Sequence, residues 1–231
     1  MTARVVIISG AASGIGRACA REMQNRGWRV AALDLQPAPE ADLSVITDMT
    51  EVDAVAAAVR CAEDELGTPS AVVSVAGHYA MVPFEKIDHA SWQRMLRVHL
   101  GGLLNLARAV VPGMTARGEG SIVGVTSELA VGGGDGDAHY AAAKGAVIGL
   151  VRSLASELAA TGVRVNAVAP GPTDTPLIGP DSPWRAPDYL ATLPSRRLVT
   201  PEEIALTTAF LIEDGTFFCG EVVSPNAGAV I

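Results

Sequence analysis

The chain has 231 residues, 49% hydrophobic and 18% charged, with a net charge of −8 and no basic run. That is enough apolar material for one well-buried domain over residues 1–231, and it argues against nucleic acid or an anionic membrane as partner. Cys19, Cys61 and Cys219 are far apart and lack metal-ligand spacing, so neither a disulfide framework nor a metal site is indicated. A reducing cytoplasm is the simplest setting. No apolar stretch approaches the length needed to span a membrane.

In chain order, strand and helix patterns alternate. Arg4 to Ile8 is a short β-branched run. Ser9-Gly10-Ala11-Ala12-Ser13-Gly14-Ile15-Gly16 then leads into an amphipathic helix to about Arg26. Such a strand, glycine turn and helix can cradle phosphate, because glycine allows close backbone approach and the helix start offers free N–H groups. An ordinary tight turn has the same appearance. Trp28 to Asp34 is a second strand, ending in an acid that can accept hydrogen bonds from the ribose of NAD and repel a 2′-phosphate. Leu43 to Thr47 is a third, followed by Asp48, with Thr50 a candidate cap for a helix over Glu51 to Leu66.

Ala71 to Val75 forms a fourth strand, apolar throughout as a sheet covered on both faces requires, and Ala76-Gly77 follows. Asp88 to Met114 is expected as one long helix capped by Asp88 and containing His99. A strand over GSIVGVT delivers Ser127. The glycine-rich stretch 132–137 is expected as a flexible, polar wall of a substrate mouth. The next helix carries Tyr140 and Lys144 four residues apart, so their side chains share one face about 5–6 Å apart at Cβ. An ammonium there is expected to favour the phenolate, letting Tyr140 exchange a proton with an alcohol or carbonyl oxygen, with Ser127 donating to that oxygen. A solvated helix face is the plain alternative. His139 is expected as polar surface or, less so, as a substrate contact.

Val163 to Ala169 is a further strand, closed by Pro170-Gly171-Pro172-Thr173-Asp174-Thr175. Prolines break up the segment to Thr200, in which Leu177, Ile178, Trp184, Tyr189 and Leu193 are candidates for an apolar lid. Arg185, Arg196 and Arg197 can attract an anionic group or pair with acids. Thr200-Pro201-Glu202-Glu203 is a capping box that starts a helix to about Ile212, and Glu221 to Ser224 is the last strand.

SGAASGIG, the YAAAK segment with Ser127 thirteen residues before its tyrosine, and Asn166-Ala167-Val168-Ala169-Pro170-Gly171 together resemble the short-chain dehydrogenase/reductase family in its small single-domain form. The resemblance runs from Val5 to Gly228. It implies an α/β, Rossmann-type doubly wound parallel sheet of about seven strands with helices on both faces. It also implies an oxidoreductase that moves a hydride between NAD(H) and a secondary alcohol or ketone. Ser127, Tyr140 and Lys144 would be catalytic, with Lys144 lowering the pKa of Tyr140 and binding ribose. His99 stands where the family has an asparagine that supports a water relay.

Cofactor contacts would come from Gly10, Ser13, Gly14, Ile15, Gly16, Asp34, Leu35, Asp48, Met49, Ala76 and Gly77. Tyr140, Lys144, Pro170, Gly171, Thr173 and Thr175 would complete them. Ser74-Val75 replaces two asparagines that brace the fourth strand in the family. A homotetramer or homodimer acting on a small molecule is the implied state. The alternative from another class is a non-catalytic NAD(H)-binding redox sensor or scaffold. An epimerase of the extended branch is disfavoured, since no substrate domain follows.

Overall fold

A computed structural model describes residues 4–230; the outermost residues of the expected domain, 1–3 and 231, lie outside it. Seven strands form one sheet: β1 (Val5–Ser9), β2 (Arg29–Asp34), β3 (Leu43–Ile46), β4 (Ala71–Ser74), β5 (Gly120–Val125), β6 (Val163–Val168) and β7 (Val222–Val223). Their order is β3-β2-β1-β4-β5-β6-β7, with every pairing parallel. This is the expected doubly wound sheet. The chain reverses its direction of winding between β1 and β4, and the carboxyl ends of those strands diverge to open a crevice.

Among the described residues the eight α-helices are α1 (Gly14–Asn25), α2 (Val52–Leu66), α3 (His89–Leu96), α4 (Gly102–Arg117), α5 (Leu129–Gly132), α6 (Ala138–Leu158), α7 (Pro187–Thr192) and α8 (Pro201–Glu213). Alternate strand residues feed opposite faces, as the two-residue period requires. Val5, Ile7, Val72 and Ile122 pack with Val59 of α2, Leu106 of α4 and Val151 of α6. Val6, Ile8, Val73 and Val123 pack with Met23 of α1 and Ile204 and Leu211 of α8. Sidedness is therefore set by register: a one-residue slip of β1 would exchange Val5 and Ile7 for Val6 and Ile8.

Two helix starts follow the sequence closely. Asp88 accepts from the Ser91 amide at 2.7 Å, and Thr200 with Glu203 forms the reciprocal capping box of α8. The start of α2 does not. Glu51 is its cap and makes no side-chain capping bond, while Thr50 donates both its amide and its hydroxyl to Asp48. The expected single helix over 88–114 is also interrupted, because Arg97–Gly101 winds as a π-helical turn between α3 and α4. An extra residue in one turn re-aims the side chains that follow, and such turns concentrate at functional sites. His99 lies in it. Ala227 is held at φ +58, a strained backbone for a residue with a Cβ.

Candidate active site

A cleft of about 530 Å³ opens at the carboxyl ends of the strands. One half is built by the turn after β1. Gly10 has φ +70, and a Cβ there would lie 2.8 Å from the backbone of Ala76. Gly16 is packed so closely that a Cβ would overlap the carbonyl oxygen of Gly10. Gly10, Ser13, Gly14 and Ile15 line the cleft, and Gly16 packs behind them to close the turn. Ser13 caps α1 without a side-chain bond, leaving its hydroxyl free toward the cleft.

Asp34 stands at the edge of this half beside Leu35, Asp48 and Met49. Its two oxygens accept from the amides of Ala12 and Gln36, each at 3.0 Å. Both bonds fix the carboxylate, and each oxygen keeps a lone pair for another donor. The bracing in doubt at Ser74-Val75 comes from a residue that sequence reading passed over. Ser9 Oγ accepts from the amides of Val75 at 3.1 Å and Ala76 at 3.2 Å, tying the end of β4 to β1. Its signal was a lone hydroxyl ending an otherwise apolar strand.

The residues present fit a dinucleotide. The turn admits no side chain at Gly10 or Gly16, amides gather at the start of α1, and a fixed acid stands where a ribose would lie. Pro170, Gly171, Thr173 and Thr175 form the facing wall. Thr173 Oγ1 donates to Gly171 O at 2.8 Å, which stiffens it.

The other half holds Ser127, Tyr140, Lys144 and His99, all of which line the cleft. Thr126 Oγ1 donates to Lys144 O at 2.7 Å, joining the end of β5 to α6 and so bringing Ser127 to the tyrosine and lysine. Lys144 is 4% exposed, and its Nζ donates to Val125 O at 2.7 Å. Burial pushes the lysine down to about 7.

Tyr140 departs from expectation. Burial, followed by the charge of Glu128, holds its phenol above the ordinary range, and Lys144 does not lower it. The reason is that a lysine losing its own proton near pH 7 exerts little pull, and its Nζ lies 5.7 Å from the ring centre. The ring packs edge-on against Tyr79 and His99, with centroids 5.1 and 5.4 Å away.

His99 is buried, with Nε2 2.8 Å from His78 O and Nδ1 unpaired. Burial, with Lys144 next, holds it well below the ordinary histidine range, so it is neutral at pH 7. A Cβ on Gly77 would lie 2.9 Å from His99 Nδ1, so the imidazole occupies space that only glycine leaves open. Backbone contact and unpaired nitrogen coexist, which accommodates both a satisfied core histidine and a relay.

Leu177, Ile178, Trp184 and Tyr189 cover this half, but Leu193 is buried away from the cleft. Arg185 pairs with Asp174 and Arg197 with Glu203, so these arginines have acid partners. The stretch 132–137 is less free than expected. Its Asp137 is buried and accepts from Tyr79 Oη at 2.7 Å, while Trp184 Nε1 donates to the same Oη at 3.2 Å. His139 is buried and does not reach the cleft, so it is neither surface nor substrate contact.

Glu128 is the largest omission from the sequence reading. It follows Ser127, is 8% exposed and lines the cleft. Burial pushes its carboxyl up to about 7 from 4.5. The folded chain thus binds the extra proton between about pH 4.5 and 7, and stability falls as pH rises through that window. Glu128→Gln lacks this loss. Relative to the parent, the variant should gain about 3 kcal/mol between pH 4.5 and 7.5, read by urea unfolding at both values. A pH-independent difference would contradict a carboxyl raised by burial.

Against known proteins, residues 10–229 match the family model described as enoyl-(acyl carrier protein) reductase. Cis-4-hydroxycyclohexanecarboxylate dehydrogenase of Sinomonas cyclohexanicum is 38% identical over 239 residues, 97% of this chain and 96% of that protein. Acetoacetyl-CoA reductase of a Synechocystis strain is 35% identical over 227 residues, 96% of this chain and 95% of its own length. Among solved structures, 3-ketoacyl-(acyl-carrier-protein) reductase of Brucella melitensis complexed with NADH superposes with a TM-score of 0.91 at 26% identity. That match covers 99% of this chain and 98% of the Brucella chain.

Proposed function

The chain belongs to the short-chain dehydrogenase/reductase family, and from that premise we propose an NAD(H)-dependent enzyme interconverting a secondary alcohol and a ketone. The observation that carries the reading is the meeting of the glycine turn and Asp34 with Ser127, Tyr140 and Lys144 in one cleft. When bound, the nicotinamide cofactor gives or takes the hydride. Tyr140 Oη gives the proton to the substrate oxygen in reduction and takes it back in oxidation. Its phenol is kept protonated through the neutral range, which favours it as the acid for ketone reduction.

Ser127 holds the reacting oxygen, Lys144 holds the nicotinamide ribose, and His99 with its unpaired Nδ1 passes protons toward solvent. Gly10, Ser13, Gly14 and Ile15 receive the pyrophosphate, Ala76 and Gly77 pack along the cofactor, and Asp48 and Met49 border the adenine. Leu35 flanks the adenosine, and Pro170, Gly171, Thr173 and Thr175 hold the nicotinamide end. The substrate is small and largely apolar, in keeping with the lid of Leu177, Ile178, Trp184 and Tyr189. A non-catalytic scaffold finds no support among the relatives described, which are dehydrogenases and reductases.

No described helix is long and apolar enough to cross a membrane. A single cytoplasmic domain associating as a homotetramer or homodimer is consistent with Leu104 on α4, Leu206 and Phe210 on α8, and Phe217, all exposed.

Asp34 provides the test of cofactor choice. In fluorescence titrations, NADH should bind at least about tenfold more tightly than NADPH, and Asp34→Asn should narrow the gap by removing the charge that repels a 2′-phosphate. Preference of the parent for NADPH would overturn the assignment, and binding of neither would return weight to a disabled site.

A further inference from the structure

Glu128 Oε2 accepts the Ser127 hydroxyl at 2.9 Å, so the serine proton already has an acceptor beside the place where a substrate oxygen would sit. The geometry of this pair is fixed by the backbone. Glu128 N donates to Pro170 O at 3.1 Å, and Leu129 N donates to Ser127 Oγ at 3.2 Å. Among the described residues no basic side chain forms an ion pair with Glu128. A carboxyl on the wall of the cleft with no basic partner keeps lone pairs that can accept a donor supplied by a ligand.

The position of that carboxyl limits the ligand. It stands one hydrogen bond from the Ser127 oxygen, which stands one hydrogen bond from the reacting oxygen proposed above. Two gauche oxygens on adjacent carbons are separated by a similar distance. Reacting oxygen, serine, glutamate and a neighbouring hydroxyl can therefore close a ring of hydrogen bonds.

We propose that Glu128 is a specificity-determining residue that selects substrates with a hydroxyl on the carbon next to the carbinol: vicinal diols and the matching α-hydroxyketones. The second hydroxyl donates to the glutamate in place of Ser127, and the freed serine hydroxyl turns to the reacting oxygen. A simple alcohol leaves the serine proton committed to Glu128. The apolar cover of Leu177, Ile178, Trp184 and Tyr189 fits a compact hydrocarbon body, such as a ring, carrying the two hydroxyls.

This inference rests on the oxidoreductase reading, and the experiment separates the two. It measures kcat/KM for cyclohexane-1,2-diol and for cyclohexanol, and calorimetric binding of both to the NADH-saturated enzyme. The parent, Glu128→Gln and Glu128→Leu are compared. The parent should favour the diol on the order of 30-fold in both readouts. In Glu128→Leu the ratio should fall toward one, because the diol loses its acceptor while the serine is released for the simple alcohol. Gln, isosteric and still an acceptor, should lie between them, so the prediction survives a Leu variant that does not fold.

A parent ratio near one, or a ratio unchanged in Gln and Leu, would overturn the role of Glu128. Tighter binding of 2-aminocyclohexanol than of the diol would overturn the hydroxyl as the recognised group. If the parent oxidises neither alcohol, the oxidoreductase reading is in difficulty, and the calorimetric ratio still decides the question of Glu128.

Discussion

Replacing Tyr140 by Phe is expected to lower kcat by about 10³-fold while leaving NADH affinity within about threefold of the parent. The substitution removes one oxygen from the cleft and keeps the ring, which packs against Tyr79 and His99 through its edges and face. Thr126 Oγ1 to Lys144 O still joins the end of β5 to α6, so the fold should persist. What disappears is the proton donor beside Ser127. Without it, reduction of a ketone would leave an alkoxide with no acid to quench it, a species far too basic to accumulate in a half-buried site. Single-turnover kinetics with NADH, read beside a binding titration, separates chemistry from affinity. Turnover within tenfold of the parent would remove Tyr140 from the reaction.

Gly16→Ala should destabilise the protein by about 3 kcal/mol and abolish measurable NADH binding. The new Cβ would overlap Gly10 O and come within 3.0 Å of Ala11 Cα, and both are backbone atoms that cannot swing aside. The turn would have to open, displacing the amides that give it its use. Gly149→Ala is the internal contrast. It lies on the exposed side of α6, a Cβ there meets nothing within 4 Å, and the same change should stabilise by about 1 kcal/mol through helix propensity. Urea unfolding of both variants checks the sign as well as the size. A mild effect at Gly16 would mean that the turn tolerates a wider path than its packing indicates.

The sequence by itself determined what near neighbours settle. Val5 to Ile8 and Ala71 to Val73 are apolar without alternation, which only a strand covered on both faces can bury, and the structure packs them so. Asp88 and Thr200 mark their helices because a cap acts within three residues. The four-residue spacing of Tyr140 and Lys144 made them neighbours before any tertiary contact formed. Motif order added the rest of the family resemblance, including Ser127 and Asp34.

Only the tertiary structure decided the chemistry of those residues. Ser9 braces β4 from 66 positions away, a partnership no local pattern encodes. The turn at His99 widens to a π geometry where the helix presents an imidazole against Gly77, and helical periodicity does not register one inserted residue. The sign of the Tyr140 shift was reversed because spacing gives the distance to an ammonium but not its charge. Burial by distant segments takes that charge away from Lys144 near pH 7 and raises the phenol. No local pattern in the sequence marks Glu128. Enclosure by the cleft turned it into a carboxyl that holds its proton near neutrality and accepts the Ser127 hydroxyl, because desolvation and long-range contacts set proton affinity, and both arise only when the chain has closed.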